Sequence, residues 1–268
     1  MGLIFDINSA RLYENWYRSP MGSRMESFFE RLLIEFLEPE KQQRVIDIGC
    51  GAGNHLIYAN KIGLSVTGID ASPYMIDLAR SRLGRRSEIK KAYAGELPFE
   101  DNEFDFAFLI NTLEFLDNPL EALREAGRVA SRKVFIIVFN RFATYCQWKK
   151  LSGLINKNIF PRIRTYSLWD IKALIYEAYG SAPIQWQSEA YLPDFIRKYK
   201  LPLKKFFSIN HLPFGFILGI SITLRYTYKT DKLSLKEKIR RRKSPVVEGV
   251  HTISNFNGVL ESERSISL

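Results

Sequence analysis

The chain has 268 residues, 46% of them hydrophobic and 13% aromatic, enough to bury one full core with an appendage and too few for two complete domains. Two cysteines, Cys50 and Cys146, cannot form a disulfide framework, and the three histidines are scattered without metal-ligand spacing, so no metal site is expected. The formal net charge is +10, yet residues 197–243 hold fourteen Lys or Arg against Asp231 and Glu237, a local +12, so the rest of the chain sums to −2.

The N-terminus carries Asp6, Arg11 and Glu14 where a secretory signal needs an apolar run. Asp6 also stands where a myristoylation signal after Gly2 needs Ser or Thr. Residues 23–38 place Phe28, Leu32, Leu33, Phe36 and Leu37 on one helical face, with Ser23 as cap and Pro39 as stop. Short apolar runs then alternate with helical stretches. The spacing predicts strands at Arg44–Gly49, Ser65–Asp70, Ile89–Ala94, Phe104–Asn111 and Lys133–Phe139, and helices at about 54–62, 73–83 and 119–129. Nearly continuous apolar strands mark a parallel sheet covered on both faces, a doubly wound α/β pattern.

After Asn140 the rhythm changes. A basic, aromatic helix is expected at about 142–153, then a helix capped by Ser167 and stopped by Gly180, then strands around Ile184–Glu189 and Gly215–Tyr226. The apolar stretch Phe214–Leu224 is about half a bilayer span and too rich in β-branched residues for one, so no transmembrane segment is expected. From Thr230 onward the chain is polar and charged, which predicts a basic tail over 230–268 with little fixed structure. The expected organisation is one domain over 1–229: an N-terminal helical lid (1–40), a cofactor-binding half (41–140) and an acceptor-side half (141–229).

Chemistry concentrates in VIDIGCGAGN, residues 45–54: a strand, then Gly49, Gly51 and Gly53 at alternate positions, then a helix. Glycines there make a tight turn and let a nucleoside lie against bare backbone, while the helix N-terminus offers free N–H groups. Seventeen residues past Gly53 the second strand ends in Asp70, whose carboxylate can accept both ribose hydroxyls. A dinucleotide fingerprint would have its third glycine one residue later, where Asn54 stands, which leaves NAD binding as the minor alternative.

These residues resemble class I S-adenosylmethionine-dependent methyltransferases of the UbiE-like, Methyltransferase-11 type. The resemblance runs through VIDIGCGAGN, GIDASPYMIDLAR, ELPFEDNEFDFAFLINTLEFLDNP and LREAGRV, clearly over residues 11–140. It implies a Rossmann-like fold with a mostly parallel seven-stranded sheet, and S-adenosyl-L-methionine as cofactor. It also implies that Asp47 helps hold the methionine amino group, that Gly49, Gly51 and Gly53 line the cofactor, and that Asp70 takes the ribose. Ala71 and Met75 would lie near the adenine, and Asn111 near the methionine portion and methyl group. The family commonly has Gly-Asp-Ala where this chain reads Ala92-Tyr93-Ala94, so the adenine contact passes to Tyr93 and the backbone of Ala94.

Glu114 and His211 are the candidate bases, Glu114 for its place after the fourth strand and His211 for its place in the acceptor-side connector. Both have an alternative structural reading, as has His55, expected to cap its helix or lie at the surface. Tyr13, Trp16 and Tyr17 are expected in the lid. Cys146 lacks the surroundings of a C5-methyltransferase nucleophile and reads as structural. The expected function is methyl transfer to a small-molecule acceptor, aromatic, quinone-like or lipid-linked, in a cytoplasmic protein. The +12 segment 197–243 suits an anionic membrane surface or a nucleic acid. A nucleic-acid methyltransferase and a non-catalytic cofactor-binding protein stand as alternatives.

Overall fold

The computed structural model describes residues 2–84, 87–143, 164–189 and 212–224. Outside them fall Cys146, His211, nearly all of the helix expected at 142–153, and the tail from 230. Of the basic segment 197–243, only 212–224 are described.

Seven strands form one sheet: β1 (Arg44–Ile48), β2 (Ser65–Asp70), β3 (Glu88–Lys91), β4 (Phe104–Ile110), β5 (Ala130–Phe139), β6 (Ile184–Glu189) and β7 (Ile217–Thr223). Their spatial order is β3-β2-β1-β4-β5-β7-β6. β1 to β5 pair in parallel, and β7 inserts antiparallel between β5 and β6. The chain order reverses between β1 and β4, a switch point beside which the carboxyl ends of the strands leave a crevice for a ligand.

Helices cover both faces: α1 (Ile7–Tyr17), α2 (Pro20–Leu32), α3 (Asn54–Lys61), α4 (Pro73–Leu83), α5 (Pro119–Val129) and α6 (Leu168–Tyr179). The side-chain alternation of β4 shows how one strand serves two cores. Phe106, Phe108 and Ile110 join the cluster under α2 and α3, while Ala107 and Leu109 join the cluster under α5 and α6. Phe28, Phe29 and Leu32 of α2 are fully buried against the first face, and Leu123, Ala126 and Ile171 against the second.

Several boundaries differ from those expected. The helix expected to begin at Ser23 starts at Pro20, capped by Ser19, whose hydroxyl accepts the Gly22 N–H. Proline fits the first helical position because its missing N–H would be unpaired there anyway. The same helix ends in a π-helical turn, Leu33–Leu37, and stops at Glu38 with a φ of +47°, before Pro39 is reached. β3 stops at Lys91, so Tyr93 leaves the strand and forms an isolated bridge with Glu96. β5 starts at Ala130, directly from α5 and three residues before the strand start expected at Lys133. Ser167 and Gly180 bound α6 as expected, with Ser167 and Asp170 closing a reciprocal capping box. Among the described residues no helix is long and apolar enough to cross a membrane.

Candidate active site

The loop between β1 and α3 is built on positive backbone angles: φ is +76° at Gly49, +52° at Gly51 and +77° at Gly53. At Gly51 a side chain would meet no atom within 4 Å, because that position opens on a cavity; at Gly53 it would lie 2.8 Å from Leu83 Cδ1. One glycine thus keeps the cavity open and another lets α3 and α4 pack closely.

The cavity measures about 390 Å³, within the usual range for cofactor-sized sites of about 300–1,000 Å³. It sits at the carboxyl ends of β1, β2 and β4 and takes in Gly49, Gly51, Asp70, Ala71, Met75, Tyr93, Ala94 and Asn111. Two more positions expected at the cofactor lie outside its lining: Gly53, and Asp47, which has no exposure on β1.

Asp70 ends β2, where its Oδ2 accepts the Gly51 N–H at 2.9 Å and its Oδ1 accepts the Ser72 N–H at 2.8 Å. Burial pushes its carboxyl above the usual range, and the backbone donors Ser72 and Gly51 pull it back. Each carboxylate oxygen keeps a second acceptor site, enough for two ligand hydroxyls. Asn111 follows β4 with a φ of +52° and is 4% exposed. Neither its amide nitrogen nor its amide oxygen has a partner, although both are buried at the cavity wall. Unpaired buried amides are costly, which marks Asn111 as a contact for a polar ligand.

The roof comes from the N-terminus, the region expected as a helical lid, but partly through an extended strap that the sequence did not reveal. Leu3 N–H donates to Phe115 O at 2.8 Å, and the Ser72 hydroxyl donates to Phe5 O at 2.6 Å, so residues 2–5 run as a strap from the β2 end to the β4 end. The Phe5 ring packs edge-on to Tyr13 and Phe115, and all three line the cavity. Helix α1 is held beside it by Arg82, whose guanidinium joins Glu14 of α1 to Asn54 Oδ1 at the start of α3. Only the clustered apolar residues Leu3-Ile4-Phe5 could have hinted at this strap.

Glu114 is 2% exposed and does not line the cavity. Its Oε1 accepts the Phe139 N–H at 2.7 Å, tying the turn after β4 to the end of β5, and burial pushes its carboxyl up to about 8. His55, expected as a cap or at the surface, is 5% exposed at the cavity wall. Its Nε2 lies 3.3 Å from the Tyr17 hydroxyl, and its Nδ1 lies 3.8 Å from Asp47 Oδ2.

S-adenosylmethionine suits this donor set. Asp70 would hold the ribose, the bare Gly51 backbone would face the ligand, and the unpaired Asn111 amide would meet its amino-acid portion. Tyr93, 41% exposed at the rim, would lie by the adenine.

Residues 46–138 match the family described as methyltransferase domain, Methyltransf_11. An O-methyltransferase of Aspergillus sclerotiorum is 30% identical over 137 residues, 47% of this chain and 52% of that protein. A demethylmenaquinone methyltransferase of Tropheryma whipplei is 32% identical over 105 residues, 39% of this chain and 44% of that protein. The chain spans about half the length of the curated relatives it matches. Among solved structures, a SAM-dependent methyltransferase of Thermotoga maritima superposes with a TM-score of 0.60 at 22% identity, covering 80% of this chain and 95% of that one, a likeness of fold.

Proposed function

We propose that this chain, whose residues 46–138 match the Methyltransferase-11 domain, transfers the methyl group of S-adenosylmethionine to a small-molecule acceptor that is apolar and aromatic, quinone-like or lipid-linked. The observation that carries the reading is the cavity at the switch point, where the glycine loop, Asp70 and the unpaired Asn111 amide converge. The acceptor class is supported by the aromatic roof of Phe5, Tyr13 and Phe115 and by a relative whose name specifies a demethylmenaquinone.

The bound cofactor supplies an electrophilic methyl carbon on sulfur. The chain's own contribution is placement and exclusion of water. Asp70, fixed by two backbone N–H donors, would accept hydrogen bonds from the ribose hydroxyls without having to reorient. Asn111 offers an amide NH2 group with two donors and a carbonyl acceptor at the cavity wall. The strap and the Tyr13 ring line one side of the cavity, where they would limit the access of solvent to a bound ligand. Glu114 acts on the backbone of Phe139 and so keeps the ends of β4 and β5 in register. The basic segment 197–243 would bring the protein to an anionic surface by charge alone; equal binding to anionic and neutral vesicles would remove that part of the reading.

Calorimetric titration of S-adenosylhomocysteine tests the central claim. Micromolar binding by the wild type, lost in Asp70→Ala, is the expected result. No binding by the wild type overturns the reading.

A further inference from the structure

Asp47 is a fully buried carboxylate with no hydrogen-bond partner at either oxygen. Such a group is tolerated when a partner lies within a small movement or arrives with a ligand. The neighbour in position is His55, whose Nδ1 stands 3.8 Å from Asp47 Oδ2. The imidazole is fixed from its other sides. Its ring packs 4.7 Å from the Phe29 ring, and Nε2 faces the Tyr17 hydroxyl at 3.3 Å.

The direction of these contacts follows from Tyr17. Burial pushes the phenol well above its ordinary range, so it keeps its proton and can donate to Nε2. A donor at Tyr17 makes Nε2 the acceptor and leaves the ring proton on Nδ1, aimed at Asp47. A closure of about 1 Å would then bring Nδ1 and the carboxylate oxygen within hydrogen-bond distance. Tyr17 also shares a face of α1 with Tyr13, one turn earlier, their ring centroids 6.2 Å apart, and Tyr13 lines the cavity.

We propose that His55 is a positioning residue at the cavity wall, which holds the buried Asp47 carboxylate behind that wall and, through Tyr17, holds helix α1 so that Tyr13 closes the same cavity. The proposal rests on the methyl-donor reading above. It makes the lid and the wall of the site one connected unit, with His55 as the joint.

The test compares two replacements of similar bulk. His55→Gln can donate to Asp47 and accept from Tyr17, whereas His55→Leu fills space and does neither. Calorimetry with S-adenosylhomocysteine should give His55→Gln within about threefold of the wild type and His55→Leu weaker by about tenfold, the scale of lost hydrogen bonds. Tyr17→Phe should weaken binding about threefold alone and add nothing to His55→Leu, since it acts through the histidine. The chain has three histidines, so the imidazole 15N resonances missing from His55→Gln identify this one; ligand addition should move its Nδ1 more than its Nε2. Thermal unfolding of each variant checks that it is folded, and Tyr17→Phe keeps the proposal open to refutation if His55→Leu is not. Equal binding by His55→Leu and the wild type, equal losses in the Gln and Leu variants, or additive Tyr17 and His55 effects would overturn this proposal alone. Failure of the wild type to bind would overturn the methyl-donor reading and this proposal together.

Discussion

The Asp70 carboxylate reaches across from β2 and accepts the N–H of Gly51 at 2.9 Å, so the acid expected to take a ribose also shapes the glycine loop that the ligand would lie on. Its other oxygen accepts the Ser72 N–H at the start of α4. Replacing Asp70 by Asn keeps the shape and turns one acceptor into a donor, which must then face either Gly51 or Ser72. We expect Asp70→Asn to lose about 1–3 kcal/mol of stability from the unpaired backbone donor and to bind S-adenosylhomocysteine at least about tenfold more weakly. Thermal unfolding and calorimetry check the two losses separately, and an unchanged affinity would remove Asp70 from the binding site.

Gly51 and Gly53 look alike in the sequence and should fail differently. Gly51→Ala places a methyl group in open cavity space with no atom within 4 Å, at a φ of +52°. The left-handed backbone costs about 1–2 kcal/mol, and the methyl stands where the ligand should lie. Gly53→Ala carries the same backbone cost and also drives a methyl to 2.8 Å from Leu83 Cδ1, on the α3–α4 side of the loop. The expected outcome is a larger loss of binding than of melting temperature for Gly51→Ala, and the reverse for Gly53→Ala. Matching losses in both assays for the two variants would show that the glycine loop is only structural.

Which parts of the molecule the sequence revealed follows from how local their causes are. The glycine loop and Asp70 were legible because backbone angles and a strand-terminal acid are set within 26 residues of chain. Strand and helix alternation was legible for the same reason. The strap was not, because Leu3-Ile4-Phe5 has no periodicity and its partners, Ser72 and Phe115, are fixed only by the fold. His55 was misread because its helical position suggested a cap, while its burial comes from Tyr17 and Phe29 on helices far back in the chain. The helix start was misplaced at Ser23 although Ser19-Pro20 carries the stronger cap and first-turn proline.

Ser72 has two duties that a single replacement can separate. Its hydroxyl accepts the Met75 N–H at the N-terminus of α4 and donates to Phe5 O in the strap. Ser72→Ala should cost about 1 kcal/mol through the lost cap and release one end of the strap. Phe5→Ala should release the strap with the cap intact. Both should speed dissociation of S-adenosylhomocysteine about three- to tenfold in stopped-flow measurements, the scale of one lost contact. Only Ser72→Ala should lose the capping bond of α4. Unchanged dissociation in both variants would show that the strap does not gate the cavity.

Glu114 gives a stability test that depends on pH. Burial raises its carboxyl from 4.5 to about 8 in the fold, against the lowering effect of the Phe139 N–H. A raised carboxyl means that the fold favours the protonated form, so its stabilising contribution is complete below about 4.5 and is lost as pH rises through about 8. Glu114→Gln is neutral at every pH and retains an oxygen for the Phe139 N–H. The melting temperature of the variant minus that of the wild type should therefore rise between pH 5 and pH 9. At about 1.4 kcal/mol per pKa unit and about 2–4 °C per kcal/mol, a rise of at least about 5 °C is expected. A flat difference would mean that Glu114 is charged in the fold throughout. Because Glu114 lies outside the cavity lining, the same variant should bind S-adenosylhomocysteine within about threefold of the wild type, as expected when the lost charge acts on the fold and not on the ligand. A tenfold loss of affinity without loss of stability would instead return Glu114 to the reacting end of the site.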